Sequence, residues 1–447
     1  MNRHRIGVVG SGYVGTVAAS CFAAVDREVV VLERDQAKLA SLRAGRAPFF
    51  ERGVDALIRS GLDSGRLRFT DDVDDAVRSS DFIFFCVGTP SGKDGHADVD
   101  ALAAAARSVA QAMDDSKVLV TKSTVPIGSG HWLSEIVEDA LQAAAKQCLS
   151  FSVVSNPEFL AQGSAVEDFM HPDRVVLGSD ESEAIERVAE LYRPILDQSF
   201  DDGRSDQLPR LVRTNLASAE TVKYASNSFL ALKISFINEI ANICDLTGAD
   251  VEQVAYAIGL DDRIGPRFLN AGVGWGGSCF GKDLGELIAV ATDNGYSPKL
   301  LRAVRKVNAF QRGAVVKKLR LRLHGLRGRR IALLGLAFKP HTDDLRDSPA
   351  VDIATECLRA GAIVVAHDPV VRVLPGLDDV CIVSDPYDVA ERADAVVLLT
   401  EWPEYLNLEL GIIQHRMRGS LFIDGRNVFD PEKVAAAGLE YEGIGRS

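Results

Sequence analysis

The run IGVV at 6–9 passes straight into GSGYVG at 10–15, then into small residues, then into EVVVL at 28–32. This arrangement constrains the fold more than any other feature of the chain. A short apolar strand, a glycine turn, a helix and a second strand bury themselves together as a βαβ unit, because parallel neighbours need a crossover between them. Further apolar runs follow at 81–87 (DFIFFCV), 117–120 (KVLV) and 152–154 (SVV), with helical patterns between them. Alternation of this kind implies a parallel, doubly wound sheet.

The pattern changes near residue 215. Residues 215–247 contain no proline or glycine and carry apolar residues at helical spacing, and Gly248 is a natural stop. This predicts one long helix. Shorter helices are expected around 251–258 and 284–294, with a glycine-rich loop over 263–283 between them. From residue 329 the strand–helix alternation resumes: RIALLG at 330–335, a helix over 348–360, AIVVA at 362–366, AVVLL at 395–399 and LFID at 421–424. The expected fold is therefore α/β, with two Rossmann-like doubly wound parallel-sheet domains joined by a long central helix and helical segment. The expected boundaries are 1–212, 213–310 and 311–447. A chain of 447 residues is too long for one core, which agrees with this division.

Composition narrows the functional classes. With 47% hydrophobic and 25% charged residues, the chain has the make-up of a globular protein. A net charge of -13 argues against nucleic acid as a partner, which calls for a basic face. It leaves room for a local anion site. The seven cysteines are scattered, odd in number and without a CxxC pair, so neither a disulfide framework nor a metal site is expected. The chain enters a strand almost at once, with no long apolar leader and no later run long enough to span a bilayer. The reading is a cytoplasmic protein with no membrane partner.

GSGYVG fits the dinucleotide pattern and stands where that pattern must stand, between strand and helix. Gly10 permits the tight turn, Gly12 lets the backbone approach a pyrophosphate, and Gly15 allows close helix–strand packing. Tyr13 and Val14 lie in the same first turn, whose free N–H groups suit phosphates. Glu33 ends the second strand, where a carboxylate accepts both ribose hydroxyls and repels the extra phosphate of NADP. The expected cofactor is NAD. Lys38 is within reach of the same ribose or phosphate. Val87 and Thr89, in VGTP at 87–90, end a later strand at the carboxyl edge of the sheet, where ligands bind.

The segment GWGGSCFGKD at 274–283 carries the chemistry. A lone cysteine is more often small buried filler. Here glycines flank Cys279, which would let substrate approach the backbone closely at Gly276, and Lys282 and Asp283 follow within one turn. A thiolate needs such help from nearby charge or hydrogen bonds, so Cys279 is a candidate nucleophile. Lys223 and Asn227 are spaced i, i+4 on the long helix and share a face, as a cation and an amide donor for a developing oxyanion, or as a solvated pair. Thr124, in KSTVP at 122–126, and Glu158, in SNPEFL at 155–160, each follow a strand at the ligand-binding edge.

Together these segments resemble the UDP-glucose/GDP-mannose dehydrogenase family over nearly the whole chain. The resemblance rests on GSGYVG, FCVGTP at 85–90, KSTVP, SNPEFL, Lys223 with Asn227, GGSCF at 276–280 with Lys282 and Asp283, AFKPHTDDLRDSP at 337–349 and DGRN at 424–427. It implies a four-electron oxidation of a nucleotide sugar, UDP-glucose by the nearest branch, from alcohol through aldehyde to acid at the expense of NAD. Cys279 would form a thiohemiacetal and then a thioester. Lys223 and Asn227 would stabilise oxyanions, Asp283 would handle water or a proton, and Thr124 and Glu158 would flank the water and general base. The nucleotide-sugar site would comprise Glu158, Phe159, Leu160, Lys223, Asn227, Phe268, Leu269, Gly276, Phe338, Lys339 and Arg426. Arg263 would reach the substrate of a neighbouring subunit, so a homodimer or higher oligomer is implied. Thr124, Lys282 and Arg346 would contact NAD. Two positions depart from the family: Gly281 replaces a common proline, which would loosen the loop after the nucleophile, and Gln162 replaces a common glutamate. The same chemistry on GDP-mannose or a UDP-N-acetylhexosamine, a two-electron hydroxy-acid dehydrogenase, and an inactive nucleotide-sugar-binding protein are the competing readings.

Overall fold

A computed structural model describes residues 4–92, 95–200 and 208–446. The chain divides into two compact units, Met1–Ser226 and Asn227–Ser447, and the division falls inside one helix, Leu216–Thr247. That helix matches the proline- and glycine-free stretch. It stops where Gly248 takes a left-handed φ of 77° and its N–H returns to the Cys244 carbonyl at 2.9 Å.

In the first unit the described strands are β1 (Arg5–Val9), β2 (Glu28–Leu32), β3 (Leu67–Thr70), β4 (Phe82–Phe85), β5 (Lys117–Thr121), β6 (Phe151–Ser155), β7 (Arg174–Gly178) and β8 (Arg210–Thr214). They form one sheet in the order β3-β2-β1-β4-β5-β6-β7-β8. The first helix, Tyr13–Ala24, connects β1 to β2, which pair in parallel with Val8 opposite Val31. The sheet is not wholly parallel: β7 meets β6 antiparallel at Ser155 and Gly178, and β8 runs with β7. The connection from β6 to β7 contains a helix of only six residues, Ala165–Met170, in place of a full crossover helix. Phe22 anchors the core on one face of this sheet, with ring centroids 5.4 Å from Phe84, 5.1 Å from Phe169 and 5.0 Å from Tyr192. Burying each such ring contributes about 1.5–3 kcal/mol.

The second unit holds β9 (Arg330–Leu334), β10 (Ile363–His367), β11 (Cys381–Ile382), β12 (Ala395–Leu398), β13 (Leu421–Asp424) and β14 (Glu440–Glu442). They form a parallel sheet in the order β11-β10-β9-β12-β13-β14. The order around β9 repeats the order around β1. Gly335 follows β9 with φ 95°, as Gly10 follows β1 with φ 99°.

Two helices differ from the sequence reading. The helix expected from 284 begins at Phe280 and runs to Asp293, so Cys279 is its N-cap and Gly281 lies in its first turn, not in a loop. A helix that the sequence reading lacked, Lys299–Arg322, is one of the longest in the unit. Its inward stripe includes buried Asn308 and Gln311 among Val304, Val315 and Leu319, and these polar positions obscure an apolar period. Among the described residues no helix is long and apolar enough to cross a membrane.

Candidate active site

At the carboxyl edge of the first sheet, Gly10 bends the chain beneath the Cys86 carbonyl, which a Cβ at Gly10 would approach to 2.8 Å. A Cβ at Gly15 would lie 2.0 Å from the Gly10 carbonyl oxygen, so this glycine is fixed by packing. A Cβ at Gly12 would meet nothing within 4 Å, and no side chain caps the Tyr13–Ala24 helix. An open backbone edge with uncapped N–H groups is what a dinucleotide pyrophosphate requires. Glu33 follows β2 and accepts hydrogen bonds from the Ser11 hydroxyl and, at 2.8 Å, from the Asp35 N–H. Burial opposes its charge, yet these two donors and Lys38 hold the Glu33 carboxyl below its ordinary range. The carboxylate is therefore ready as an acceptor for ribose hydroxyls, and the residues present fit NAD.

Val87 and Thr89 are tied to the segment after β5. The Ser123 hydroxyl donates to the Val87 carbonyl at 2.7 Å, and the Thr89 hydroxyl donates to the Thr124 carbonyl at 2.7 Å. Tyr13 is engaged by its own unit: its hydroxyl donates to Glu51, whose carboxylate also accepts the N–H groups of Gly163 at 2.6 Å and Ala165 at 3.1 Å. Glu51 thus links the cofactor turn to the segment after Leu160, a role that its isolated place in the sequence did not signal.

Glu158 is buried, and Lys223 on the long helix holds its Oε1 at 2.7 Å. Its Oε2 accepts the Leu160 N–H at 2.6 Å. Burial alone would push the Glu158 carboxyl up, but Lys223, the Leu160 N–H and Lys122 hold it down as an anion. Lys122 is a further buried charge in this unit. Its Nζ lies 3.1 Å from Asn156 Oδ1 and 3.3 Å from the Tyr192 hydroxyl, and burial brings its pKa down to about 8. Phe159 stacks under the Arg174 guanidinium at 4.0 Å.

In the second unit, Cys279 is exposed at the N-terminus of the Phe280–Asp293 helix. Amide dipoles at such a position favour a thiolate. The Ser278 hydroxyl lies 3.7 Å from its Sγ. Asp283 is buried one turn on; it accepts from Asn227 Nδ2 at 2.6 Å and pairs with Lys282 Nζ at 2.8 Å. Asn227 is buried, not a solvated face.

The glycines before Cys279 are required by packing within the chain. A Cβ at Gly276 would lie 2.3 Å from the Asp347 carbonyl oxygen, and one at Gly277, with φ 87°, would lie 2.8 Å from the Phe338 ring. They admit the chain's own 338–349 segment to close contact. The Gly277 N–H donates to the Arg346 carbonyl at 3.1 Å. The Arg346 side chain is two-thirds exposed and forked onto Asp344, and its charge lies within electrostatic range of Cys279.

The remaining candidates are scattered over this unit. Arg426 donates to the Leu399 carbonyl at 2.7 Å and the Phe338 carbonyl at 3.2 Å. Lys339 Nζ lies 5.6 Å from the Phe338 ring centre. Phe268 is partly exposed with a left-handed φ of 65°, whereas the Leu269 side chain is packed into the core, leaving only its backbone for a ligand. Arg263 is almost fully exposed and paired with Asp261 at 2.6 Å. The second sheet has its own acidic residue at the place of Glu33: Asp368, directly after β10. It is fully buried and accepts from Leu336, Ala337, Val370 and Val371 N–H groups and from Trp402 Nε1. Nothing of its carboxylate is left for a ribose.

Comparison with known proteins places this geometry in context. Models of the UDP-glucose/GDP-mannose dehydrogenase family match as an NAD binding domain over residues 4–196, a central domain over 217–310 and a UDP binding domain over 332–431. The UDP-glucose 6-dehydrogenase TuaD of Bacillus subtilis (strain 168) is 44% identical over 446 residues, 99% of this chain and 93% of that relative. A UDP-glucose 6-dehydrogenase of Rhizobium meliloti (strain 1021) is 44% identical over 452 residues, 99% of each chain. The solved structure of a UDP-glucose dehydrogenase from Pyrobaculum islandicum superposes with a TM-score of 0.89 at 38% identity, covering 100% of this chain and 99% of that one.

Proposed function

The chain belongs to the UDP-glucose/GDP-mannose dehydrogenase family, and from that premise we propose that it oxidises the C6 alcohol of UDP-glucose to the carboxylate of UDP-glucuronate. The observation that carries the covalent part of this reading is Cys279, an exposed thiol at a helix N-terminus with Asp283 buried one turn below. NAD, when bound, accepts a hydride in each of the two oxidations.

The protein's own residues supply the rest. The Gly10, Gly12 and Gly15 turn, with Tyr13 and Val14, takes the pyrophosphate. Glu33 and Lys38 take the ribose, and Val87, Thr89, Thr124, Lys282 and Arg346 complete the contacts. Phe159, Leu160, Phe268, Leu269, Gly276, Phe338, Lys339 and Arg426 hold the nucleotide sugar. The Cys279 sulfur adds to the aldehyde carbon, the carbonyl oxygen takes up a proton, and a thiohemiacetal forms. Loss of a hydride from that carbon and a proton from that oxygen leaves a thioester. Water adds to the thioester and gives up one proton to a base, the C–S bond breaks with the sulfur departing as thiolate, and the second proton is released as the product acid ionises to the carboxylate. Lys223 and Asn227 stabilise the oxyanions of these steps, and Glu158, Thr124 and Asp283 position water and protons.

The division of labour follows 1–212 for NAD, 213–310 for assembly and 311–447 for the UDP sugar. The long helix and the segment after it expose Phe229, Phe236, Ile243 and Leu246, and then Tyr256 and Leu260, an apolar surface suited to a second copy of the chain. Arg263 would then serve the partner's substrate. Scattered cysteines without a CxxC pair suit a reducing compartment, the cytoplasm.

The test is a panel of nucleotide sugars with NAD, counting NADH per sugar consumed. UDP-glucose should give about two NADH per sugar, and Cys279→Ser should stop the second oxidation. A ratio of about one, or preference for a GDP- or N-acetylated sugar, overturns the reading.

A further inference from the structure

The Cys279 loop is held from behind by a helix that the reaction scheme does not use. The Lys299–Arg322 helix turns three polar side chains onto the backbone of the strand of loop leading to Cys279. Asn308 Oδ1 accepts the Trp275 N–H at 2.9 Å, and its Nδ2 donates to the Trp275 carbonyl at 3.0 Å. Gln311 Nε2 donates to the Gly272 carbonyl at 2.8 Å. Arg312 does more than either. Its Nη2 donates to the Trp275 carbonyl at 2.8 Å and to the Asp347 carbonyl at 3.1 Å, while its Nη1 reaches Asp347 Oδ1 at 2.7 Å and Asp352 Oδ2 at 2.6 Å. The Arg312 side chain is 13% exposed.

One guanidinium therefore spans two segments that must keep register. The first ends in Cys279. The second contains Arg346 and Asp347, and Asp347 sits in a left-handed φ of 52°, which a non-glycine residue keeps only when its surroundings enforce it. The two segments are already in contact: Gly277 N–H bonds the Arg346 carbonyl, and Gly276 has no room for a Cβ beneath Asp347. Lysine could supply charge but not this fork, whose planar donors meet two carbonyls and two carboxylates at once.

We propose that Arg312 is a positioning residue for the covalent half of the reaction, fixing the Cys279 loop against the Arg346–Asp347 turn. This rests on Cys279 being the nucleophile. The first oxidation, alcohol to aldehyde, does not need the sulfur; the second does. Loss of the fork therefore slows the second step selectively.

The experiment compares two substrates on the full-length enzyme: the sugar nucleotide as alcohol, read as the rate of the first hydride transfer, and its C6 aldehyde, read as steady-state oxidation. In Arg312→Gln and Arg312→Lys, aldehyde oxidation should fall about a hundredfold, the effect of misplacing a reacting group by about 1 Å. First hydride transfer at saturating NAD should stay within about twofold of wild type. Asp347→Ala keeps Arg312 but removes one anchor, and should show the same selectivity if the arginine variants fail to fold. Equal slowing of both steps, or no slowing of aldehyde oxidation, overturns the proposal while leaving Cys279 in place. Cys279→Ser is run alongside: aldehyde oxidation at the wild-type rate in that variant removes the nucleophile, and the role of Arg312 with it.

Discussion

Lys223 Nζ lies 2.7 Å from Glu158 Oε1, and both side chains are almost wholly buried. Removing one partner from such a pair leaves the other charge stranded, at about 3–5 kcal/mol. Glu158→Gln should therefore lower the melting temperature as well as reducing kcat by about a hundredfold or more. The folded protein holds the Glu158 carboxyl below the ordinary range of a glutamate, so its contribution is present above that range and fades as the pH falls through the folded value. The stability gap between wild type and variant should close on acidification. A gap that is constant with pH would show that the ion pair is not its source.

Glu33 holds Ser11 and the Asp35 N–H at the edge where the ribose is expected. Glu33→Ala should weaken NAD binding by about 1–3 kcal/mol, or roughly 5- to 150-fold in Kd by calorimetry. It should also reduce the preference for NAD over NADP. Unchanged NAD affinity would discard the ribose assignment.

Lys122 gives a pH signature of the same sign as that of Glu158, in an alkaline window. Its pKa falls from 10.5 to about 8 through burial, so between those values the unfolded chain binds the extra proton. The cost of burying the cation is full below pH 8 and is relieved as the pH rises toward 10.5. Stability contributed by this group should thus climb across that window, and Lys122→Met should flatten the climb in denaturant titrations. An identical slope in the variant would assign the effect elsewhere.

Two glycines five positions apart should respond in opposite directions. Gly281 lies in the first turn of a helix, and a Cβ there meets the Asp347 carboxylate at 3.3 Å and the Trp275 ring at 3.8 Å. Gly281→Ala should stabilise by about 0.5–1 kcal/mol, chiefly by restricting the unfolded chain. Gly276→Ala drives a methyl against a backbone carbonyl, at about 1–3 kcal/mol, and should displace Cys279 enough to cut the second oxidation. Thermal melts of the pair check both signs.

The sequence reading was strongest where a local rule acts alone. The glycine turn, its flanking strands and the 216–247 helix follow from pattern and propensity, and the second sheet from its apolar runs. It failed where tertiary contact overrides the local rule. The packing of Asp347 and Phe338 on the glycines before Cys279 has no local signal. The Phe280 helix start is hidden because Cys279 caps it without a side-chain bond. Asn308, Gln311 and Arg312 are invisible because their partners are backbone groups more than thirty residues away. Lys223, Asn227, Glu158 and Asp283 were legible as candidates, but their pairing into Lys223–Glu158 and Asn227–Asp283 was not.

The saturation of Asp368 carries a lesson about how a duplicated architecture comes to have unequal halves. Glu33 and Asp368 end equivalent strands of two sheets with the same central order. One keeps acceptor capacity facing outward; the other has spent all of it on five N–H groups of its own chain. A glycine turn added to the second sheet would not by itself make a dinucleotide site, because the Asp368 carboxylate is already bonded to its own loops. Freeing that carboxylate for a ribose would leave buried N–H groups without their acceptor, so the asymmetry between the halves is tied to folding stability.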